Sequence, residues 1–201
     1  MTQSTLLSEL NSSDLFAEHG SLILNLWDKI DEKTYLELGV RDNKNFNQIQ
    51  ALSKFSVDTN GAATFTGTTD EYFATISEDT RFDVIFIDAN HDYQYVINDL
   101  INSSKHCNEW VLLHDCVPPN ETFTNTKLCS DSFRVLYYLI TRGDIELYVM
   151  NNNFGLTLVR MPSVIDFPDE SYANTSYEEF VRVLNTVKRY SASEIVDILN
   201  I

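Results

Sequence analysis

The stretch Phe82–Asp88, FDVIFID, decides the fold prediction because it is apolar on both of its faces. A strand of this kind is typical of a parallel sheet that is covered by helices on each side. A second apolar strand pattern, Trp110–His114 (WVLLH), follows after a segment with helical spacing. The middle of the chain therefore predicts a strand–helix–strand unit.

Strand and helix patterns alternate outward from this unit in both directions. Because such alternation is typical of a mainly parallel sheet, we predict an α/β fold, a Rossmann-like three-layer sandwich. The sheet is predicted to be mostly parallel and seven-stranded, ending in a C-terminal antiparallel hairpin. The other five predicted strands are 34–38, 54–58, 64–66, 146–150 and 156–160.

The third of these strands is the least determined. Only five residues separate Asp58 from Thr64, whereas a parallel crossover normally needs a dozen or more. This strand is therefore short, displaced or not parallel, and the sequence leaves these alternatives open.

Three segments are predicted along the chain. Residues 1–33 have the spacing of an N-terminal helical segment, and 34–162 contain the predicted sheet. Residues 163–201 read as a C-terminal helical extension, because capping boxes begin at Ser176 and Ser191.

Composition narrows the class of partner and the compartment. The 201 residues include 30 acidic and 14 basic ones, a net charge of −16. This charge argues against nucleic acid or an anionic membrane surface as the binding partner.

The N-terminus lacks the basic start of a signal peptide, and no apolar run approaches the length of a membrane span. Three widely spaced cysteines fit reduced thiols. We expect a cytoplasmic protein with a small-molecule partner that is uncharged or cationic, or an anion met only through a metal. The sequence does not set the oligomeric state.

The first two predicted strands end in residues suited to a nucleoside. Glu37, Gly39 and Arg41 close the first strand, and Asp58 follows 19 positions after Gly39. That spacing is typical of an acidic residue that meets ribose hydroxyls. The glycines that admit a pyrophosphate are missing at positions 41 and 44. A nucleoside without phosphates fits these residues, and so does a plain strand-to-helix turn.

The two central strands each bring a carboxylate and a histidine to their carboxyl ends. Asp88 and His91 follow the first, and His114 and Asp115 follow the second. Clustered carboxylates suit a divalent cation, and a neighbouring histidine suits a general base. In the alternative interpretation, Asp88 or Asp92 caps the next helix and His114 makes one satisfied hydrogen bond.

Together these residues resemble the class I S-adenosylmethionine-dependent methyltransferases. The resemblance is to a small-molecule family with the motifs ELGVRDG, FIDGxHxY and HDxxP, and it covers about residues 34–160. Here the motifs read LELGVRDN over 36–43, FIDANHDY over 86–93 and LHDCVP over 113–118. Cys116 stands where many cation-dependent relatives carry Asn.

The resemblance implies S-adenosylmethionine as cofactor and assigns it a set of residues. Gly39 would admit the methionine part, with Glu37 orienting that loop. Asp58 would accept the ribose hydroxyls, and Asp70 would lie near the adenine. Asp88 borders the same site, and the charge of Arg41 suits the methionine carboxylate.

The resemblance also implies a metal and a reaction. Asp88, Asp115 and His114 look like the ligands of a divalent cation, Mg²⁺ or another, that lowers the pKa of a substrate hydroxyl. His91 or His114 would be the base, with Asp115 beside it. The predicted activity is O-methylation of a small molecule, a sugar or similar metabolite. A cofactor-binding protein without turnover and a metal-dependent hydrolase are the alternatives.

Overall fold

The computed structural model describes residues 23–25, 27–151, 154–161 and 164–200. Its centre is one mixed sheet in the order β3-β2-β1-β4-β5-β7-β6-β8. Strands β1 to β5 pair in parallel, β7 is antiparallel to both β5 and β6, and β8 is parallel to β6. The strands are β1 Thr34–Leu38, β2 Ser53–Asp58, β3 Phe65–Thr66, β4 Phe82–Ile87, β5 Cys107–Leu113, β6 Leu147–Met150, β7 Thr157–Arg160 and β8 Arg189–Tyr190.

Helices cover both faces of the sheet, as apolar strands require. The helices are α1 Lys44–Gln48, α2 Thr69–Thr75, α3 Tyr93–His106, α4 Phe133–Arg142, α5 Tyr177–Leu184 and α6 Ala192–Leu199. One core cluster joins α2, α3, α4 and α5 to one face, and a second joins α6 and the side chains of Ile23, Leu24, Trp27 and Ile30 to the other. These two cores make the predicted three-layer α/β sandwich.

The prediction of seven strands is wrong by one. After α5 the chain returns to the sheet edge, where Arg189 and Tyr190 pair with Val149 and Met150. Asn151 also donates a backbone hydrogen bond to Tyr190, at 2.7 Å. A two-residue strand is too short to show a periodic hydrophobic pattern, so the amino-acid sequence alone does not predict it.

Strand β3 is parallel although its connection to β2 is short. It has only two residues, and they pair with Val57 and Asp58 at the carboxyl end of β2. The chain moves sideways by one strand without returning along the length of β2, so a long crossover is unnecessary.

The predicted division into 1–33, 34–162 and 163–201 remains a prediction. Most of the predicted N-terminal helical segment lies outside the described residues. The capping boxes of Ser176 and Ser191 are present and begin α5 and α6. No helix within the described ranges is long and apolar enough to cross a membrane.

Candidate functional site

The carboxyl ends of four neighbouring strands form one edge, and the backbone ladder continues beyond each strand there. Gly39 donates to Val57 at 2.8 Å, Asp88 donates to Leu38 at 2.9 Å, and His114 donates to Ile87 at 3.1 Å. Asp58 ends β2 beside them. The structure therefore places Asp58, Gly39, Asp88 and His114 side by side, in that order across the sheet.

Gly39 is where two of these strand ends come closest. Its φ is +86°, and a Cβ atom at this position would lie 2.2 Å from the carbonyl oxygen of Asp88 and 2.5 Å from the Cα of Ala89. Both are backbone atoms and cannot rotate away. Glycine is required here because the end of β4 fills the space that a side chain would need.

Asp58 holds the loop that follows β1. One carboxylate oxygen accepts the backbone N–H of Arg41 at 2.8 Å, and the other accepts that of Asn60 at 2.9 Å. A carboxylate has about four acceptor positions, so further donors can bind the same group. The half-buried carboxylate is thus fixed in place and retains acceptor capacity.

Arg41 and Asn43 shape that loop through left-handed backbone conformations. Their φ values are +48° and +61°, and asparagine tolerates this region well. The amide of Asn60 donates to the carbonyl of Arg41 at 2.7 Å, while the Arg41 side chain is exposed. The loop is therefore positioned by its backbone, and the guanidinium group extends from it.

Glu37 is buried beneath the loop and not exposed at the edge. The hydroxyl of Tyr35 donates to its Oε2 at 2.6 Å, and the amide of Asn45 donates to the same atom at 2.9 Å. Burial raises the pKa of Glu37 to about 7, and these two hydrogen bonds oppose part of that rise. Glu37 thus links β1 to α1, the helix that follows the loop.

Asp88, His91, His114 and Asp115 meet beyond β4 and β5. His114 Nδ1 lies 3.3 Å from Asp88 Oδ1 and 3.4 Å from Asp115 Oδ2. His91 Nε2 lies 3.2 Å and 3.5 Å from the same two oxygens. We call these four residues the His/Asp cluster.

The charges in the His/Asp cluster reinforce one another. Burial alone would raise the pKa of Asp88, but the charge and hydrogen bond of His114 outweigh it and hold this pKa well below its usual range. Burial alone would lower the pKa of each histidine, and the facing carboxylates outweigh it in both, so these pKa values are raised. The cluster therefore stabilises positive charge between its two carboxylates.

Within this cluster, Asp88, His114 and Asp115 have the composition of a metal site. Each offers one ligand atom, and these atoms all lie within 4.8 Å of one another. Asp115 has a φ of +57°, a conformation in which local strain often accompanies function. The hydroxyl of Ser132 donates to the Asp115 carbonyl at 2.8 Å and holds this residue in place.

Cys116 takes no part in this group. It is fully buried in the core, and its Sγ lies 3.4 Å from the carbonyl oxygen of His114. The thiol is therefore not one of the atoms that group as candidate ligands.

Asp70 is the predicted cofactor residue that lies on a helix and not at a strand end. It lies in the first turn of α2, after β3, and its side chain is exposed. Among the described residues, no hydrogen bond or ion pair joins it to Asp58 or to the His/Asp cluster.

Several supporting residues were not predicted from the sequence. Tyr35 lies two positions before Glu37 and so shares its strand face, a signal that was available. The carbonyl of Lys127 accepts the Nδ1–H of His91, with 2.9 Å between the two atoms. Every residue type has a backbone carbonyl, so a contact of this kind cannot be predicted from the sequence.

The strand order and layers define a Rossmann-like three-layer α/β fold. Neither a protein-family model nor a curated protein matches the sequence. Solved structures do match, and O-methyltransferases are among them.

An O-methyltransferase from Bacillus cereus in complex with SAH matches with a TM-score of 0.56 at 11% identity, over 80% of this chain and 92% of that chain. TomG, an O-methyltransferase from Streptomyces achromogenes in complex with SAM, matches with a TM-score of 0.57 at 13% identity, over 80% and 91%. MycE, from the mycinamycin pathway, in complex with Mg and SAH, has a TM-score of 0.51 at 14% identity, over 82% of this chain and 53% of that chain. At these identities the likeness shows the fold.

Proposed function

We propose that the chain is an S-adenosylmethionine-dependent O-methyltransferase that acts on a hydroxyl group of a small molecule with the help of a divalent cation. The observation that carries the proposal is the row of Asp58, Gly39, Asp88 and His114 along one edge of a methyltransferase fold. Ligands of open α/β sheets bind at this edge. The structural neighbours that contain SAM or SAH add support.

The cofactor half of the site uses the ends of β1 and β2. The Asp58 carboxylate accepts the ribose hydroxyls, and the methionine part lies along the backbone turn at Gly39. Glu37 acts indirectly, since it is buried and holds α1 behind the loop. The exposed Arg41 guanidinium pairs with the methionine carboxylate, and Asp70 receives the adenine amino group.

The residues present fit a divalent cation at Asp88, His114 and Asp115. Two carboxylate oxygens and one imidazole nitrogen suit cations from Mg²⁺ and Mn²⁺ to the later transition metals. When bound, such an ion lowers the pKa of a substrate hydroxyl and orients its oxygen.

His91 is the better placed of the two candidate bases. Its Nδ1–H is committed to the Lys127 carbonyl, which leaves Nε2 as the atom that accepts a proton. Nε2 faces Asp88 and Asp115, so the resulting imidazolium is stabilised by both carboxylates. His114 is one of the candidate ligands and is nearly fully buried.

Replacing Asp58 with alanine is expected to weaken SAH binding about 100-fold, because two hydrogen bonds to a charged acceptor are lost. Isothermal titration calorimetry measures this. Asp42→Ala is the matched control, since Asp42 lies in the same loop and is exposed; it should bind like the wild type. Equal affinity of the Asp58 and Asp42 variants would refute the proposed cofactor site.

Replacing Asp115 with asparagine is expected to lower Mn²⁺ affinity by at least about tenfold and to abolish methyl transfer, because an anionic ligand is lost. Mn²⁺ binding is followed by electron paramagnetic resonance. Asp79→Asn, at an exposed site before β4, is the control. Chelator-sensitive ester hydrolysis without any cofactor would favour the hydrolase alternative instead.

A further inference from the structure

A cavity of about 640 Å³ opens between the amino ends of three helices. Its walls come from the starts of α3, α4 and α5 and from the short 3-10 turn Glu121–Asn125. None of the residues that the sequence predicted for the cofactor or metal lines it. Its size is in the range of small-molecule sites.

The lining of this cavity is connected through the chain to the loops that carry the His/Asp cluster. The lining residue Asp92 directly follows His91, and the lining residue Phe133 follows Ser132, whose hydroxyl binds the Asp115 carbonyl. Tyr177, a third lining residue, donates its hydroxyl to the carbonyl of Pro118 at 3.0 Å. The cavity wall and the candidate metal site are thus built on adjacent residues of the same loops.

The charge of the cavity is negative. Asp92, Glu121 and Asp131 line it, and Arg134 is the one cation among its described lining residues. Arg134 is paired with Asp131. Asp92 and Glu121 are exposed, and Asp92 accepts the hydroxyl of Ser130. Neither makes an ion pair within the part of the chain that the structure describes, so two carboxylates lack a cationic partner.

Three helix amino ends could suggest an anion site, but two of these ends are already capped. The first N–H of α3, on Tyr93, donates to an Asp131 carboxylate oxygen. The start of α5 is closed by the capping box of Ser176 and Glu179. Only the start of α4 lacks a side-chain cap among these three ends. A phosphate there would also meet the carboxylates of Asp92, Glu121 and Asp131, which repel it.

The remaining surface suits a ring that carries hydroxyl groups. The rings of Phe133 and Tyr177 form an edge-to-face pair with centroids 5.8 Å apart. Thr124 and Asn125 add polar groups to the lining. An aromatic wall attracts a cation and packs against the C–H face of a saturated ring.

We propose that this cavity binds the non-reacting part of the methyl acceptor and selects a protonated amine on a polyhydroxylated ring, the chemistry of an amino sugar. The assignment to the acceptor rests on the proposed function. Glu121 and Asp92 receive the ammonium group, and the aromatic ring of Tyr177 packs against the saturated ring of the ligand. The reacting hydroxyl is then directed toward the His/Asp cluster.

The test is a titration of the full chain by ¹H–¹⁵N NMR with glucosamine, glucose and glucose 6-phosphate as probes. Glucosamine is expected to shift the amide signals of Gln94, Thr124 and Ala173 at millimolar concentration. Glucose should bind about fivefold more weakly, because it lacks the charged group. The phosphate ester should not bind.

Matched variants assign the effect to the cavity. Glu121→Gln should weaken glucosamine about fivefold, whereas Glu78→Gln, at an exposed site outside the cavity, should not. The inference would be overturned if glucosamine caused no shifts up to about 50 mM or if glucose bound equally well. It would also be overturned if the phosphate ester bound more tightly than glucosamine, or if Glu121→Gln left glucosamine binding unchanged. A parallel titration with SAH, read at the amide signals of Gly39 and Arg41, tests the proposed function separately. If SAH shifts these signals and glucosamine does not bind, only the cavity assignment is refuted. If SAH shifts neither signal, both the proposed function and the cavity assignment are refuted.

Discussion

Replacing Gly39 with alanine should strongly destabilise the carboxyl edge of the sheet, where there is no room for a side chain. The added Cβ would overlap the Asp88 carbonyl oxygen at 2.2 Å, and φ is +86°. The strand ends must separate to relieve this contact. We expect a loss of at least about 3 kcal/mol in the free energy of unfolding, measured by urea denaturation, together with loss of SAH binding.

Substitutions at two other glycines separate the two causes of this loss of stability, the steric overlap and the positive φ. Gly143 has a φ of +71°, and a Cβ added there would meet no atom within 4 Å, so Gly143→Ala should cost about 1 kcal/mol from backbone conformation alone. Gly61 has free space and no positive φ, so Gly61→Ala should change stability by less than about 0.5 kcal/mol. A Gly39 variant no less stable than the Gly143 variant would contradict the close approach of β1 and β4.

Replacing Asp99 with asparagine should stabilise the protein at alkaline pH. Asp99 lies in the middle of α3 and is 1% exposed, and neither of its carboxyl oxygens has a partner at full hydrogen-bond geometry among the described residues. Burial raises its pKa to about 7; the nearby Thr69 side chain opposes part of this rise, and the charge of Asp70 on α2 adds to it. In the unfolded chain the same group titrates near pH 3.9.

The sign of the pH dependence follows from these two pKa values. Below about pH 4 the carboxyl group is protonated in both states and costs no stability through ionisation. As the pH rises toward 7, the unfolded state loses its proton first, so the stability of the folded state falls, and the fall is complete above the folded pKa. Asparagine removes this dependence because it does not ionise.

We therefore expect the Asp99→Asn variant to gain about 2–3 kcal/mol more over the wild type at pH 8.5 than at pH 5. Denaturation curves at the two pH values measure this gain. Asp79→Asn, at an exposed aspartate, should show no such difference. Equal gains at both pH values would mean that Asp99 is ionised in the folded protein throughout this range.

Much of the sheet could be predicted because its central strands are apolar on both faces. Strand β4 and the capping boxes of Ser176 and Ser191 lie where the sequence patterns predicted them. The two shortest strands, β3 and β8, were harder to predict. The parallel pairing of β3 and the existence of β8 depend on where distant segments return to the sheet, which local patterns do not record.

The candidate site was predictable to the extent that strand ends must share one edge. This rule was enough to bring Asp58, Gly39 and the His/Asp cluster together from their positions after strands. It could not show that Glu37 faces inward to Tyr35 and Asn45, because burial of a carboxylate depends on its partners. It could not show the acidic cavity either, since residues 92, 121, 131 and 177 meet there only after folding.

The most direct test of the central claim is a crystal structure of the protein grown with SAH and Mn²⁺. We predict nucleoside density with its ribose on Asp58 and its amino-acid part along Gly39, and an anomalous peak between Asp88, His114 and Asp115. A ribose bound away from Asp58, or manganese bound elsewhere with the His/Asp cluster unchanged, would contradict the proposed site.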